Sequence, residues 1–257
     1  MLSKNQKRLI ASMAQKKQRN LTGLFLAEGK KTVNELLRTG FQPHLIACTE
    51  GWSYPNSPTT SITPILISKE ELTSASLLKT PQNVLALFKQ PKWDIKIDAI
   101  KDELTLALDG IQDPGNLGTI IRLADWFGIR HIICSDDTVD WFNPKVVQAS
   151  MGGMARVKVH YTASLSQFLK DYHNCNQTAV YGAFLEGKNI YSTPLQNTGI
   201  IVMGNEGNGI RPETAKQISE KITIPSFPAT HITSESLNVG VATAIICAEF
   251  RRQADRC

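Results

Sequence analysis

Three short stretches combine residue types that can do chemistry. The first, DGIQDPGNLGTIIRLADWFG from Asp109 to Gly128, carries Asn116, Gly118 and Arg122. Leu117, Ile120, Ile121, Ala124 and Phe127 share one side at helical spacing, which turns Arg122 outward, one turn beyond Gly118. Glycine inside a helix costs about 1 kcal/mol relative to alanine, so Gly118 suggests that something approaches closely. A capping Asn, a bare Gly and an outward Arg would then line one surface. The second stretch, GNEGNGI from Gly204 to Ile210, is glycine-rich but fits neither GxGxxG nor GxxxxGK[ST]. It has no basic partner, and Glu206 places negative charge where a phosphate would need positive. It suits a ligand with hydroxyls or a cationic group, not a di- or triphosphate. The third, IPSFPATHITSESLN from Ile224 to Asn238, ends with Ser236 and Asn238 at the mouth of an apolar helix, where free backbone N–H groups gather. Small polar groups there resemble the floor of a pocket. Each stretch alone has an ordinary structural explanation: a solvated arginine, a tight turn, a capped core helix.

The elements that must position these residues read as two units. Before residue 92, strands are expected at Leu24–Ala27, His44–Cys48, Ile65–Ile67 and Val84–Phe88. Helices are expected at Ser3–Arg19, Lys30–Arg38 and Lys69–Leu78, with a Pro/Ser/Thr-rich loop at Gly51–Pro64. Residues 93–101 form the linker to a second unit, residues 102–257. There, strands Leu104–Leu108, Ile132–Cys134, Val157–His160, Ala179–Ala183, Ile200–Met203 and Ile222–Ile224 alternate with helices. The helices are Asn116–Phe127, Pro144–Ser150, Leu165–Tyr172, Pro212–Ser219 and Ser236–Arg252. Such alternation makes an α/β fold with a mainly parallel sheet and helices on both faces. Ligands bind such sheets beyond the carboxyl ends of the strands, where all three stretches lie. The last helix follows Thr233, Ser234, Glu235 and Ser236 as N-cap candidates and has no polar stripe. It needs burial on every side, within its own domain or against a second subunit.

Composition narrows the class. Hydrophobic residues at 42% and charged residues at 20% are ordinary for a soluble globular protein. The net charge of +5 is concentrated at the start, in Lys4, Lys7, Arg8, Lys16, Lys17, Arg19, Lys30 and Lys31 against the single acid Glu28. That concentration would attract a polyanion. The 5 cysteines form no CxxC pair, so neither a zinc site nor a disulfide framework fits, and no metal is expected. No apolar run approaches the roughly 18–20 residues of a membrane span, and the N-terminus lacks the apolar centre of a signal peptide. A cytoplasmic protein is expected.

Taken together, the motifs resemble those of the SpoU-class RNA ribose 2′-O-methyltransferases of the SPOUT superfamily, close to the TrmH-like members. The class's N-x-G-x-x-x-R is here Asn116 to Arg122, its G-x-E-x-x-G-I is Gly204 to Ile210, and its I-P and S-L-N-V are Ile224-Pro225 and Ser236 to Val239. NPKVVQASMGG (Asn143–Gly153) resembles the intervening segment, and FLAEGKKTVNELL resembles the ribosomal-protein-like RNA-binding extension. Two positions depart: Gly240 stands where the class usually has Ser after S-L-N-V, and Ser226 where Met usually follows I-P.

The resemblance implies a SPOUT domain with a C-terminal trefoil knot, a homodimer, and S-adenosylmethionine as cofactor. Implied cofactor contacts are Ala183, Met203, Gly204, Glu206, Gly209, Ile210, Ile224 and Leu237; implied catalytic residues are Asn116, Arg122, Glu206, Ser236 and Asn238. The class assigns the base to Arg122, poised by Asn116. A guanidinium keeps its proton, so the chemistry expected of Arg122 is to orient the nucleotide through a phosphate and stabilise alkoxide charge. Ser236 and Asn238 would hold the ribose or relay the proton, and Glu206 would hold the loop or the cofactor. The expected substrate is RNA, ribosomal RNA ahead of tRNA. The alternative is a non-catalytic RNA-binding or ribosome-assembly protein on the same fold.

Overall fold

The computed structural model describes residues 1–53, 62–176, 178–228 and 235–254. In chain order the elements are α1 (Lys4–Ser12), α2 (Lys16–Thr22), β1 (Leu24–Glu28), α3 (Lys30–Arg38), β2 (Pro43–Cys48), β3 (Ile65–Leu66), α4 (Lys69–Ala75) and β4 (Val84–Lys89). There follow β5 (Leu104–Asp109), α5 (Pro114–Trp126), β6 (His131–Ser135), α6 (Pro144–Ala149), β7 (Lys158–Thr162), α7 (Leu165–Asn176) and β8 (Val180–Asn189). The chain closes with β9 (Gly199–Gly204), α8 (Pro212–Ala215), β10 (Glu220–Thr223) and α9 (Val239–Ala254). Much of the expected loop at Gly51–Pro64, and the cap candidates Thr233 and Ser234, lie outside the described residues.

Two compact units emerge, Met1–Lys92 with Asp140–Arg156, and Trp93–Val139 with Val157–Cys257. These units group the chain differently from the expected boundaries: residues 93–101 fall with the second unit, and Asp140–Arg156 with the first. The returning segment is anchored by apolar packing, with Phe142 centred 4.8 Å from Phe25 of β1.

The first unit is a four-stranded sheet in the order β1-β4-β2-β3. β4 runs antiparallel to both neighbours and β3 parallel to β2. Its core gathers Ile10, Met13, Leu26, Ala47, Leu72, Leu85 and Leu87. The single basic helix expected over Ser3–Arg19 is two helices. Ser3 and Gln6 form a reciprocal capping box at the start of α1. The break before α2 lets Arg19 fold back, its Nη1 donating to the Met13 carbonyl at 2.7 Å. Arg19 is only 1% exposed, and its Nε and Nη2 donate to Asp140 Oδ2 at 2.9 and 2.6 Å. It is thus a structural cation, not part of a basic surface. Lys4, Arg8, Lys16, Lys17, Lys30 and Lys31 remain exposed, while Lys7 pairs with Glu71 at 3.0 Å.

The second unit is a six-stranded sheet in the order β10-β8-β9-β5-β6-β7, parallel at every pairing. β5 and β6 are buried at every position, so this sheet is covered on both faces. Ala107, Ile133 and Val202 join Leu165, Leu169 and Tyr172 of α7 in one core. Among the described residues, no helix is long and apolar enough to cross a membrane.

Two helix starts differ from expectation. Asp113, not Asn116, caps α5: its Oδ1 accepts the Asn116 N–H at 2.8 Å, and Pro114 occupies the first turn, where a missing N–H is harmless. α9 begins at Val239, with Asn238 Oδ1 accepting the N–H groups of Gly240 and Val241 at 2.9 and 3.3 Å. Within one chain α9 is not buried all round. Val239, Thr243, Ile246, Cys247 and Phe250 are buried, whereas Val241 and Ala248 are exposed and Ala244 and Ile245 half-buried.

Candidate active site

Strand register decides which loops meet. In the β5–β9 pair Asp109 lies opposite Gly204, so the loop entering α5 and the glycine-rich loop leave the sheet side by side. β6 lies on the other flank of β5, with Cys134 opposite Leu108. In the β8–β10 pair the register breaks after Lys221, opposite Gly182, and resumes at Ile222, opposite Lys188. Ala183 therefore starts an excursion within β8.

Because Asp113 takes the capping role, the Asn116 side chain is free. Its Nδ2 donates to Glu206 Oε1 at 2.9 Å, and its Oδ1 accepts from Asn238 Nδ2 at 2.9 Å. The Gln112 N–H reaches Glu206 Oε2 at 3.5 Å. Asn238 meanwhile caps α9 with its own Oδ1. One chain of hydrogen bonds thus joins the three stretches. Asn116 is half-buried and Glu206 and Asn238 are exposed, so the group opens to solvent and to a ligand.

The glycine-rich loop is a tight hairpin. Asn205 and Gly209 exchange backbone hydrogen bonds at 2.9 and 3.0 Å, and Gly209 has φ +68°, the left-handed region that favours glycine. A Cβ on Gly204 would meet the Gly209 carbonyl carbon at 2.3 Å and Ile210 N at 2.4 Å. The loop can fold flat against the strand end only because that position is bare. Its outer edge is held by Arg211, whose backbone N–H and Nε donate to Asp109 Oδ2 and Oδ1 at 2.9 and 2.7 Å.

This arrangement has close counterparts. Residues 103–248 match the SpoU rRNA Methylase family, and residues 4–86 match the MRM3-like substrate binding domain. The chain belongs to the SpoU rRNA methylase family. Among relatives of this SpoU protein, the 23S rRNA (guanosine(2553)-2'-O)-methyltransferase RlmP of Bacillus subtilis is 29% identical, covering 92% of each chain. A TrmH-family structure from Porphyromonas gingivalis is 39% identical with a TM-score of 0.86, covering 98% of this chain and 99% of its own. The AdoMet-bound rRNA methyltransferase from Sinorhizobium meliloti is 26% identical with a TM-score of 0.82, covering 98% of this chain and 97% of its own.

The SpoU motif residues fall into two groups. Asn116, Glu206 and Asn238 are joined; Arg122 and Ser236 are exposed and have no hydrogen bond among the described residues. Arg122 stands on the solvent face of α5, while Gly118, expected beside it, is buried. Met203 and Gly204 end β9, Gly209 and Ile210 lie in the loop after it, Ile224 follows β10, Ala183 lies within β8 at the register break, and Leu237 stands just before α9. Met203 and Ile210 are buried, Ala183, Gly204 and Ile224 half-buried, and Leu237 is 48% exposed without a core to enter.

This donor set fits S-adenosylmethionine. Among the described residues, apolar side chains, bare glycines and a single carboxylate suit an uncharged adenosine and a sulfonium, and no cationic cradle calls for phosphate. The sequence reasoning missed Asp109, Ser135, Asp137, Asn205 and Arg211. The one available signal was an aspartate at a strand end followed by Gly110.

Proposed function

We propose that this SpoU enzyme transfers a methyl group from S-adenosylmethionine to a ribose 2′-OH of ribosomal RNA. The observation that carries this reading is the hydrogen-bonded chain Glu206–Asn116–Asn238, which ties the three motif loops to one another. The family match and the ribosomal RNA activities named for relatives support the substrate class.

When bound, S-adenosylmethionine supplies an electrophilic methyl group on sulfur and leaves as a neutral thioether. Met203, Gly204, Gly209, Ile210, Ile224 and Leu237, with Ala183 beside them, would hold it. Glu206 and Asn116 fix each other's orientation, so the wall facing the acceptor ribose is set before RNA arrives. Arg122, unpaired among the described residues, takes a phosphate beside the target nucleotide and stabilises negative charge building on the 2′ oxygen. The Ser236 hydroxyl holds the ribose and passes the released proton to solvent.

The stripe of exposed Val241 and Ala248 with half-buried Ala244 and Ile245 on α9 supports a homodimer, whose partner would cover it. The fold likeness supports a trefoil knot in the C-terminal domain. Residues 1–92, joined by Asp140–Arg156, form the RNA-binding domain, with exposed Lys4, Arg8, Lys16, Lys17, Lys30 and Lys31 against phosphates. The remainder of 102–257 forms the methyltransferase domain, and the enzyme works in the cytoplasm.

The test is transfer of labelled methyl groups from S-adenosylmethionine into separated ribosomal RNA and tRNA from a strain lacking the protein, beside Arg122→Ala. Label should enter ribosomal RNA, resist alkaline cleavage and fall at least about 100-fold in the variant. Alkali-labile label would mean base methylation and would overturn the reading.

A further inference from the structure

Outside the motif residues, a second polar cluster ties together the loops leaving β5, β6 and β9. Asp109, the last residue of β5, has a side chain with no solvent exposure. It accepts the Arg211 N–H at 2.9 Å and Nε at 2.7 Å, and Nη2 as well. Arg211 Nη2 extends to Asp137 Oδ1 at 3.5 Å, and Asp137 accepts from Ser135 Oγ at 2.6 Å. The Ser135 hydroxyl in turn accepts the Gly110 N–H at 2.8 Å. From the other side, Asn205 Nδ2 donates to the Gly110 carbonyl at 2.6 Å, and its Oδ1 accepts the N–H groups of Gly207 and Asn208 at 2.9 and 3.0 Å. Gln112 Nε2 closes the circuit on the Asp137 carbonyl at 2.7 Å.

We infer that Asp109 and Arg211, together with Asn205, are positioning residues that clamp the two ends of the glycine-rich loop, so that S-adenosylmethionine meets a preformed pocket with Glu206 already turned toward Asn116. The inference rests on the function proposed above. Its logic is one of loop entropy. A seven-residue segment with glycines at 204, 207 and 209 samples many conformations unless its ends are tied. At one end, Asn205 is pinned to Gly110; at the other, Arg211 is pinned to a fully buried carboxylate that stands beside Gly204 in register. Asp109 is desolvated and therefore depends on the guanidinium and its backbone N–H. Arginine serves here where lysine would not, because its fork fills two positions on the acceptor while its own N–H fills a third. Neither residue needs to touch the cofactor; both act through the loop that does.

Calorimetric titration of S-adenosylmethionine into the full chain, Asp109→Asn, Arg211→Lys and Asn205→Ala decides the matter, each at least 15 degrees below its own melting temperature, a margin set at roughly twice the shift that 1–2 kcal/mol produces in a chain of this size. Expected is cofactor binding weakened about 10- to 100-fold in Asp109→Asn and Asn205→Ala, with Arg211→Lys intermediate, and RNA affinity within about twofold of the parent in all three. In turnover the loss should fall on the KM for cofactor, with kcat at saturation less affected. A purely structural role would lower the melting temperature and leave the dissociation constant of the folded fraction unchanged; that result would overturn the inference. Should Asp109→Asn fail to fold, Arg211→Lys and Asn205→Ala decide, since the first keeps a cation beside Asp109 and the second carries no buried charge. Absence of binding by the parent chain would overturn the functional reading and this inference with it. Parent binding with unaffected variants would overturn the inference only.

Discussion

Asn116 Nδ2 donates to Glu206 Oε1 at 2.9 Å across ninety residues of chain. The contact joins a helix start to a glycine hairpin and makes Asn116 the hub of the site, since its other amide atom accepts from Asn238 at 2.9 Å. The position therefore uses the donor and the acceptor of one amide at once.

That requirement can be probed by two substitutions with different pH behaviour. Asn116→Ala removes both bonds and should lower kcat about 10- to 100-fold with a pH profile parallel to the parent's. Asn116→Asp places two carboxylates in contact, and their repulsion when both are ionised favours taking up a shared proton as pH falls. At pH 8 it should be at least as impaired as Asn116→Ala, and it should recover relative to the parent as pH falls to 6 and a shared proton restores the donor. A flat ratio across that range would show that the Glu206 contact does not matter to turnover.

Gly204 gives a steric test of the hairpin. A methyl group there would sit 2.3 Å from the Gly209 carbonyl carbon, a backbone atom that cannot turn aside. Gly204→Ala should cost about 1–3 kcal/mol of stability and weaken cofactor binding at least tenfold, as thermal melts and titration would report. Unchanged binding would mean that the loop tolerates opening and that its flat fold is incidental.

Much of this fold was legible because apolar patterning and turn residues agree locally. The six strands of the parallel sheet and the Lys30–Arg38 helix follow from runs such as LTLALD and from glycine stops. What stayed hidden was settled by long-range partners. Asp113 and Asn116 are both good caps; in the fold Asp113 takes that duty and leaves the Asn116 side chain to Glu206 and Asn238. Arg19 reads as one more basic residue until Asp140, far along the chain, buries it. The departure at Gly240 also finds a local reason. A Cβ there would lie 3.2 Å from both Thr119 Cγ2 and Asn238 Oδ1, so glycine gives α5 and the α9 cap room to meet. For Ser226 the structure supplies no explanation.

Two stacked histidines on neighbouring strands set a dependence on acid. His131 Nδ1 lies 3.1 Å from His160 Nε2, with ring centres 5.3 Å apart, and His160 Nδ1 faces the Trp93 carbonyl at 3.4 Å. Burial, then the neighbouring His131, pushes His160 down to about 4, and burial lowers His131 as well despite the opposing pull of Glu103. Between that value and the ordinary 6.5 the unfolded chain binds more protons than the folded one. Stability is therefore full above pH 6.5 and declines as pH falls toward 4, by about 3 kcal/mol in all from His160. Denaturant melts at pH 7.5 and 5 should show the loss, and His160→Phe should flatten it. An unaltered slope in that variant would place the acid sensitivity elsewhere.

Glu28 predicts the opposite slope in the first unit. It is 5% exposed at the end of β1, and burial raises its pKa even though Ser76 Oγ and the Leu77 N–H, the latter at 3.0 Å, both donate to it. With the folded pKa above the unfolded one, the folded state holds the extra proton in the window just above pH 4.5. Stability falls as pH rises through that window, and above it the cost of a buried charge is complete. Glu28→Gln keeps an acceptor for Leu77 and offers Ser76 a donor to accept from, while removing that charge. It should raise the melting temperature at pH 8 by a few degrees, on the order of 1 kcal/mol, and leave it nearly unchanged at pH 4.5. Thermal melts of both proteins at the two pH values would check the sign, and a variant less stable at pH 8 than the parent would show that the carboxylate's two hydrogen bonds outweigh its burial.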